Sequence, residues 1–474
     1  MLRRDRRPAE QADVLNADGN APFKAPSRPS VLLGLRRHAT AAIEKMDPVH
    51  AVALGYGPYV LIGFLALSLP WAQAVPINPT DRLFMAASAV STTGLSTHDP
   101  GASYTFLGEL ALLAMMQVGA LGYLTLGTFV AVALSDRMSP RRADLTRAAF
   151  GLPEGFEVKR LIKQVVIFSL TIEAVGVVVL YPQFLAANVD NPLWMAVFHS
   201  VSSFCTAGVS LFSTSFEGFR DNAILLMTIA LLAWAGALGF LVLSDGMDML
   251  RRKRTTLGFT SRVALVITAG YTVLVTVVLL SVEPAIKALP AQDRLWNALF
   301  MTMSAGTTVG FNTIQVAALT TAAIVVLYLV MMFAASPGGT GGGLKTSTLA
   351  VLIGLVTSTL RRRSRVTFLG LEILPDKVQQ ATASVAFYCI LTGIAVFSLL
   401  LLERAPFDQV LFEAISALSG IGMSMGLTPE LSEPGKFVII ALMLIGRIGI
   451  LAFGVALAAR DPRTHDPEDA DIVP

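Results

Sequence analysis

LFMAASAVSTTG (83–94), VFHSVSSFCTAG (197–208), LFMTMSAGTTVG (299–310) and LFEAISALSGIG (411–422) are four versions of one segment. Each ends on a glycine: Gly94, Gly208, Gly310 and Gly422. A phenylalanine stands ten residues before it (Phe84, Phe198, Phe300, Phe412) and a serine six before it (Ser88, Ser202, Ser304, Ser416). Self-similarity at a recurring spacing decides architecture more firmly than local propensity. The glycines lie 114, 102 and 112 residues apart, so each unit is about the size of a helix, a short segment and a second helix.

The chain around these segments is suited to lipid. Of 474 residues 54% are hydrophobic and only 15% charged, where a soluble protein carries about 25% charged. Eight apolar stretches approach or exceed the ~20 residues a bilayer crossing needs: 52–70, 105–134, 162–186, 222–244, 263–283, 319–360 (interrupted), 378–402 and 434–459. The expected fold is an all-α polytopic membrane protein with eight transmembrane helices, in four helix–pore-loop–helix repeats around one central pore. The division is 1–50 (basic tail), 51–136, 137–245, 246–362 and 363–459 (repeats 1 to 4) and 460–474 (short tail).

Charge sets the orientation. Lys and Arg crowd residues 1–50, the loop after the second span (Arg137, Arg141, Arg142, Arg147), the loop after the fourth (Arg251, Arg252, Lys253, Arg254) and the loop after the sixth (Arg361, Arg362, Arg363, Arg365). The alternate loops hold scattered cations only, which places both termini in the cytoplasm. The run Arg3–Arg7 is accounted for as an anchor of the first helix, without a nucleic-acid partner. The N-terminus lacks the apolar core and small-residue cleavage site of a secretory signal. Cys205 and Cys389 both fall in apolar stretches, so no disulfide framework is expected.

The four segments enter from outside. Phe and Ser four apart share a helix face, and the helix then gives way to Ser, Thr, Ala, Gly and Val. Non-helical backbone at membrane depth is tolerated only where protein or a water-filled cavity satisfies it. Four such backbones about one axis present rings of carbonyl oxygens, which can replace the hydration shell of a monovalent cation. The candidate ion-binding residues are Ser91, Thr92, Thr93 and Gly94; Cys205, Thr206, Ala207 and Gly208; Thr307, Thr308, Val309 and Gly310; and Ser419, Gly420, Ile421 and Gly422. None is a carboxylate, which disfavours Ca²⁺ or Mg²⁺.

A second echo follows each segment: Gly119-Ala-Leu-Gly122, Gly236-Ala-Leu-Gly239, Gly338-Gly-Thr-Gly341 and Gly446-Arg-Ile-Gly449. In the sixth span the run Ser336-Pro-Gly-Gly-Thr-Gly-Gly-Gly-Leu-Lys345 breaks the helix. It is no phosphate loop, because Leu344 separates Gly343 from Lys345. Gly338, Gly339, Thr340, Gly341, Gly342, Gly343 and Lys345 read as a loop under the candidate filter. Arg447, a charge within the last span, reads as lying under the filter, there to oppose cations electrostatically or to hold the loop around Gly341 by hydrogen bonds to its carbonyls. Asp81, Asp293 and Asp408 look like caps of the re-entrant helices. His199 reads as a packing residue, and Glu413 as a stabiliser of the filter or an outer charge. Glu109 and Glu173 are open between interhelical pairing and ion linkage.

On SAVSTTGL, FHSVSSF with AGV, TVGFNT, PGGTGGGLKTST and IGRIG, the sequence resembles the Trk/Ktr/HKT superfamily of K⁺ transporters over about residues 48–460. The resemblance implies K⁺ bound by filter carbonyls at the four glycines and a gate formed by the Gly-rich loop. It implies a homodimer in a bacterial cytoplasmic membrane and a cytoplasmic nucleotide-binding regulatory ring as partner. In that superfamily serine at the first filter glycine goes with Na⁺ permeation; Gly94 therefore favours K⁺. Residues 1–50 lack an apolar hairpin, as in the short Ktr type. The chain departs from the common pattern at Cys205-Thr206-Ala207 and Ser419-Gly420-Ile421. The rival readings are a Na⁺-permeable or Na⁺-coupled variant, and a secondary transporter of an organic solute. The common polarity of the four units argues against the latter. No constellation for hydrolysis and no cofactor site is visible, so no enzyme is expected.

Overall fold

The computed structural model describes residues 48–122, 158–252 and 255–449. Along these the same three-helix unit recurs. The first has α1 (Pro48–Leu67), α2 (Pro79–Ser91) and α3 (Phe106–Leu121). The second has α4 (Val158–Ala186), α5 (Pro192–Phe204) and α6 (Ala223–Leu250). The third has α7 (Phe259–Val282), α8 (Ala291–Thr307) and a final helix broken into α9 (Thr321–Met332) and α10 (Thr346–Leu360). A small hairpin, Thr367–Phe368 with Leu371–Glu372, leads to the fourth: α11 (Pro375–Leu402), α12 (Phe407–Ser419) and α13 (Glu433–Ile448).

Among the described residues four helical stretches are long and apolar enough to cross a membrane: Lys163–Ala186, Ala223–Phe240, Phe259–Val282 and Pro375–Leu402. Gly55–Leu67, Phe106–Leu121, Thr321–Met332 and Thr346–Leu360 are apolar but shorter. The parts of the expected spans at 123–134 and 450–459, and the terminal tails up to residue 47 and from 460, lie outside the described residues.

The recurring phenylalanines anchor the short helices. Phe84, Phe198, Phe300 and Phe412 are all fully buried, so α2, α5, α8 and α12 sit inside the protein rather than on its lipid-facing surface. The acidic residues near their starts are not N-caps, as their sequence position had suggested. The cap positions are Asn78, Pro290 and Pro406, while Asp81, Asp293 and Asp408 lie inside the first turn. A proline at or just before the first helical position moves the boundary upstream. The carboxylates then complement the positive helix end without bonding to it as caps.

The second echo is a packing device. A Cβ on Gly119 would lie 2.2 Å from the Val90 carbonyl oxygen, one on Gly236 1.9 Å from that of Phe204, and one on Gly446 2.1 Å from that of Leu418. Each carbonyl belongs to the residue four before the aligned glycine of its own unit. Only glycine lets the third helix approach the end of the short helix so closely. Three residues on, Gly122, Gly239 and Gly449 have φ of 76°, 76° and 103°; α3 and α13 end there, and α6 kinks there. In the third unit the last helix already ends at Met332, and the positive φ is at Gly338 (78°) and not at Gly341. Pro337 and the glycines after it extend the interruption into a loop.

Gly236→Val should lower the unfolding temperature of the detergent-purified protein, with a loss of about 3 kcal/mol from overpacking. Gly57→Val, where nothing lies within 4 Å of the added carbon, should leave it unchanged.

Candidate functional site

The four aligned glycines close into a ring. A Cβ on Gly94 would lie 2.4 Å from the Ala207 carbonyl oxygen, one on Gly208 2.1 Å from that of Val309, one on Gly310 2.0 Å from that of Ile421, and one on Gly422 2.1 Å from that of Thr93. Each unit's glycine thus faces the residue before the next unit's glycine, and the fourth returns to the first. Their φ values, 91°, 66°, 77° and 88°, are positive throughout. Two residues earlier Thr92, Thr206, Thr308 and Gly420 are also at positive φ. These threonines hold a conformation disfavoured for β-branched side chains, and three of the four units have one there.

The serine six before each glycine ties the turn. In the first unit the Thr93 N–H donates to the Ser88 carbonyl (2.9 Å) and the Gly94 N–H to Ser88 Oγ (3.0 Å). In the second Ala207 donates to the Ser202 carbonyl (2.9 Å), and Ser202 Oγ to the Val209 carbonyl (2.8 Å). In the fourth Ile421 donates to the Ser416 carbonyl (2.9 Å), while Ser416 Oγ accepts from Gly422 (3.1 Å) and donates to the Met423 carbonyl (2.7 Å). The third unit is looser: Gly310 reaches the Ser304 carbonyl at 3.4 Å, and Ser304 Oγ has no partner among the described residues.

Above the ring, Gly94, Gly208, Gly310 and Gly422 line one cavity of about 540 Å³. Around it stand Ser96, Ser210, Asn312 and Ser424, each two residues past its glycine. The serines cap the following turn, accepting from His98 (3.4 Å), Phe212 (3.0 Å) and Gly426 (2.9 Å) N–H groups. Sequence reading missed this polar position, although it recurs in all four units. Burial holds the His98 imidazole on this rim below its ordinary range, against the pull of Asp81 and Asp99.

His199 and Glu413 occupy the same position in their units and do the same work. His199 Nε2 accepts from the Leu211 N–H (3.3 Å) with Nδ1 against the Met195 carbonyl (2.8 Å). Glu413 accepts from the Met425 N–H (3.1 Å), Ser424 Oγ (2.5 Å) and Thr428 Oγ1 (2.7 Å). Both are fully buried, so Glu413 is a brace of the turn and not an outer charge. Glu109 and Glu173 pair between helices. Trp194 Nε1 donates to Glu109 (2.5 Å), and Gln117 Nε2 to Glu173 (3.0 and 3.2 Å). Cys205 Sγ donates to Gln117 Oε1 (3.3 Å), so this pair supports the second unit's turn from behind.

Below the ring lies the Gly-rich loop. Thr340 Oγ1 meets Thr206 Oγ1 (2.9 Å), and the Thr340 carbonyl accepts from Thr92 Oγ1 (3.5 Å). A Cβ on Gly341 would be 2.4 Å from Thr308 Oγ1, and one on Gly420 3.6 Å from the Gly342 Cα. Three consecutive residues therefore touch the positive-φ position of every unit, which places them on the axis of the ring. Carbonyls freed by the break at Gly239 anchor the loop: Ala237 accepts from Ser336 (3.0 Å) and Gly236 from Thr340 (3.0 Å). Arg447 uses the other set of freed carbonyls. It donates to Gly119 and Ala120 (3.2 Å) at the end of α3 and to the Thr340 carbonyl. Lys345 Nζ donates to the Gly341 carbonyl (2.5 Å). A helix end leaves its last carbonyls without intrahelical donors, and a guanidinium offers several at once. Neither cation is ion-paired among the described residues.

The family of TrkH cation transport proteins matches residues 59–464. The chain belongs to that family. It is 33% identical to the Ktr system potassium uptake protein B of Vibrio alginolyticus, over 88% of this chain and 93% of that one. Against the protein of the same name from Bacillus subtilis the identity is 30%, over 90% and 97%. The potassium/sodium uptake protein NtpJ of Enterococcus hirae is 30% identical, over 89% and 95%. The crystal structure of the potassium transporter TrkH from Vibrio parahaemolyticus superposes with a TM-score of 0.69 at 20% identity, over 90% of this chain and 89% of that one, and so shares the fold.

Ser416→Ala removes partners from the Gly422 N–H and Met423 carbonyl and should cost about 1–3 kcal/mol of stability. Ser304→Ala, at the unpartnered hydroxyl, should cost much less. Thermal unfolding of both purified variants checks the contrast.

Proposed function

We propose that this TrkH-family chain is the K⁺-translocating subunit of a Trk/Ktr-type uptake system in the bacterial cytoplasmic membrane. Eight transmembrane spans form the four units 51–136, 137–245, 246–362 and 363–459, and both termini are cytoplasmic. K⁺ sheds water in the outer cavity and is coordinated by backbone carbonyls of residues 91–94, 205–208, 307–310 and 419–422. The observation that carries this reading is the closed ring of glycine–carbonyl approaches, with all four glycines lining one cavity. Residues 91–94, 205–208, 307–310 and 419–422 include no carboxylate, as a filter built from backbone requires, and the cavity above them carries Asp99 and Glu217.

Below the filter, Gly338–Gly343 is the gate. The hydrogen bonds of Thr340 hold it on the axis, and Arg447 and Lys345 add positive charge in the cation's path. Opening requires Thr340 to give up its bonds to Thr206 and Arg447. The chain works as a homodimer with a cytoplasmic nucleotide-binding regulatory ring, as its resemblance to the Trk/Ktr/HKT superfamily implies. A Na⁺-permeable variant is the second reading, favoured by the Enterococcus relative named for both ions.

Growth rescue and Rb⁺ uptake in bacteria lacking K⁺ uptake test the reading. Wild type should rescue growth, and Gly94→Ser and Gly310→Ser should lose K⁺ preference over Na⁺. Absence of Rb⁺ flux from well-expressed protein supplied with a regulatory subunit would overturn K⁺ transport. Equal Na⁺ and K⁺ flux in wild type would favour the second reading. Arg447→Gln, or deletion of Gly338–Gly343, should raise flux without loss of membrane expression; unchanged flux in both would exclude the loop as the gate.

A further inference from the structure

The third unit departs from the other three where its short helix ends. In the first, second and fourth units the carbonyl four residues before the aligned glycine (Val90, Phe204, Leu418) is closely faced by Gly119, Gly236 or Gly446 of the unit's last helix. In the third unit α9 has already ended, at Met332, and the chain runs on as the Gly-rich loop. Gly339, Gly341 and Gly342 of that loop face Ala237, Thr308 and Ser419. The carbonyl at the matching position belongs to Gly306, and it accepts from the Tyr271 hydroxyl of α7 at 2.7 Å. A helix end leaves such carbonyls without intrahelical donors. Where the other units carry valine, phenylalanine or leucine, this one has glycine, because the tyrosine occupies the space. A Cβ on Gly306 would lie 2.7 Å from Tyr271 Cζ and 2.8 Å from its hydroxyl oxygen.

The turn that follows has few ties of its own. In the other three units the residue before the glycine donates to the serine carbonyl at 2.9 Å, whereas here Gly310 reaches that carbonyl at 3.4 Å. The Ser304 and Thr308 hydroxyls are buried without hydrogen-bond partners among the described residues. Thr308 also abuts Gly341, so this turn leans on the loop that moves in the proposed opening. Tyr271 is seated apart from that loop, against the apolar clusters that contain Val275 and Ile267.

We propose that Tyr271 is a positioning residue for the filter: its hydroxyl fixes the Gly306 carbonyl, and through it the turn Thr307–Gly310, where the other units use their last helix. The third unit can then give up helix for loop while its carbonyls stay in register with the rest of the ring. Selectivity among monovalent cations depends on the size of the carbonyl cage or on the number of its dipoles, and a turn free to shift alters both. This role rests on the filter reading above and deepens it, since ion preference comes to depend on a hydroxyl that touches no ion.

Tyr271→Phe keeps the ring beside Gly306 and removes the hydroxyl alone. Tyr328→Phe removes a hydroxyl of the same kind, donated to the Asp408 carbonyl at 2.9 Å at the start of α12, and is the control. In vesicles holding the purified full chain, Rb⁺ uptake is measured in competition with Na⁺. Tyr271→Phe should lower the preference for Rb⁺ by about fivefold, the value of one hydrogen bond, and Tyr328→Phe should leave it at the wild-type level. Unchanged preference in Tyr271→Phe, or an equal loss in both variants, would overturn the positioning role. Wild type that carries no Rb⁺, or carries Na⁺ equally well, counts against the K⁺ reading instead. The tyrosine is then judged by hydrogen exchange in detergent. Amides of residues 304–311 should exchange about fivefold faster in Tyr271→Phe than in wild type, with those of 416–423 unchanged. Equal rates at 304–311 in the two proteins would overturn the role on that ground alone.

Discussion

At the centre of the molecule four backbones approach one another to distances that no side chain could share. Gly94, Gly208, Gly310 and Gly422 each leave room for a carbonyl of the next unit, and the circuit returns to its start. Most other features maintain that approach. The buried phenylalanines place the short helices, the serines six residues before the glycines fold the turns back, and His199 and Glu413 brace the chain beyond them. Polar backbone without helical partners is costly at membrane depth, so each turn must be satisfied locally, and the second and fourth are held from both sides.

The breaks in the third helices extend the same constraint below the ring. Ending a helix in lipid exposes carbonyls, and the protein fills them with the loop's own N–H groups on one side and a guanidinium on the other. Arg447 thereby belongs to the fourth unit, bonds the first and holds the third unit's loop. Its position is explained by hydrogen-bond satisfaction before any electrostatic effect on ions is considered. In the proposed transport cycle the two roles are coupled, since moving the loop unbinds Thr340 from the charge that opposes the cation.

Much of this was legible in the sequence, for physical reasons. The Phe, Ser and Gly positions are fixed by contacts within each unit, so they recur at constant offsets and can be aligned by eye. The small-residue echo was legible in the first, second and fourth units, while in the third Pro337 and the glycine run blur which residue ends the helix. That His199 and Glu413 share a position was legible, but that they do the same work was not. Imidazole and carboxylate share only an acceptor aimed at the same N–H group, and the other two units use methionine there. The bond of Arg447 to the loop was legible, but its partners Gly119 and Ala120 and the Gln117 partner of Glu173 were out of reach because they lie on other units, and spacing along one chain says little about which helix ends meet.

One asymmetry has consequences for how such a protein can be built. Among the described residues only the third unit carries a loop that reaches the axis, and three of its residues already fill the space beneath all four turns. Four identical subunits would bring four such loops to a place with room for one. Joining the units in a single polypeptide removes that conflict: each copy can diverge alone, and a square frame can carry a single off-pattern part. The ring keeps its near-equivalence, and control of it can be lodged in one insertion without remaking the other three.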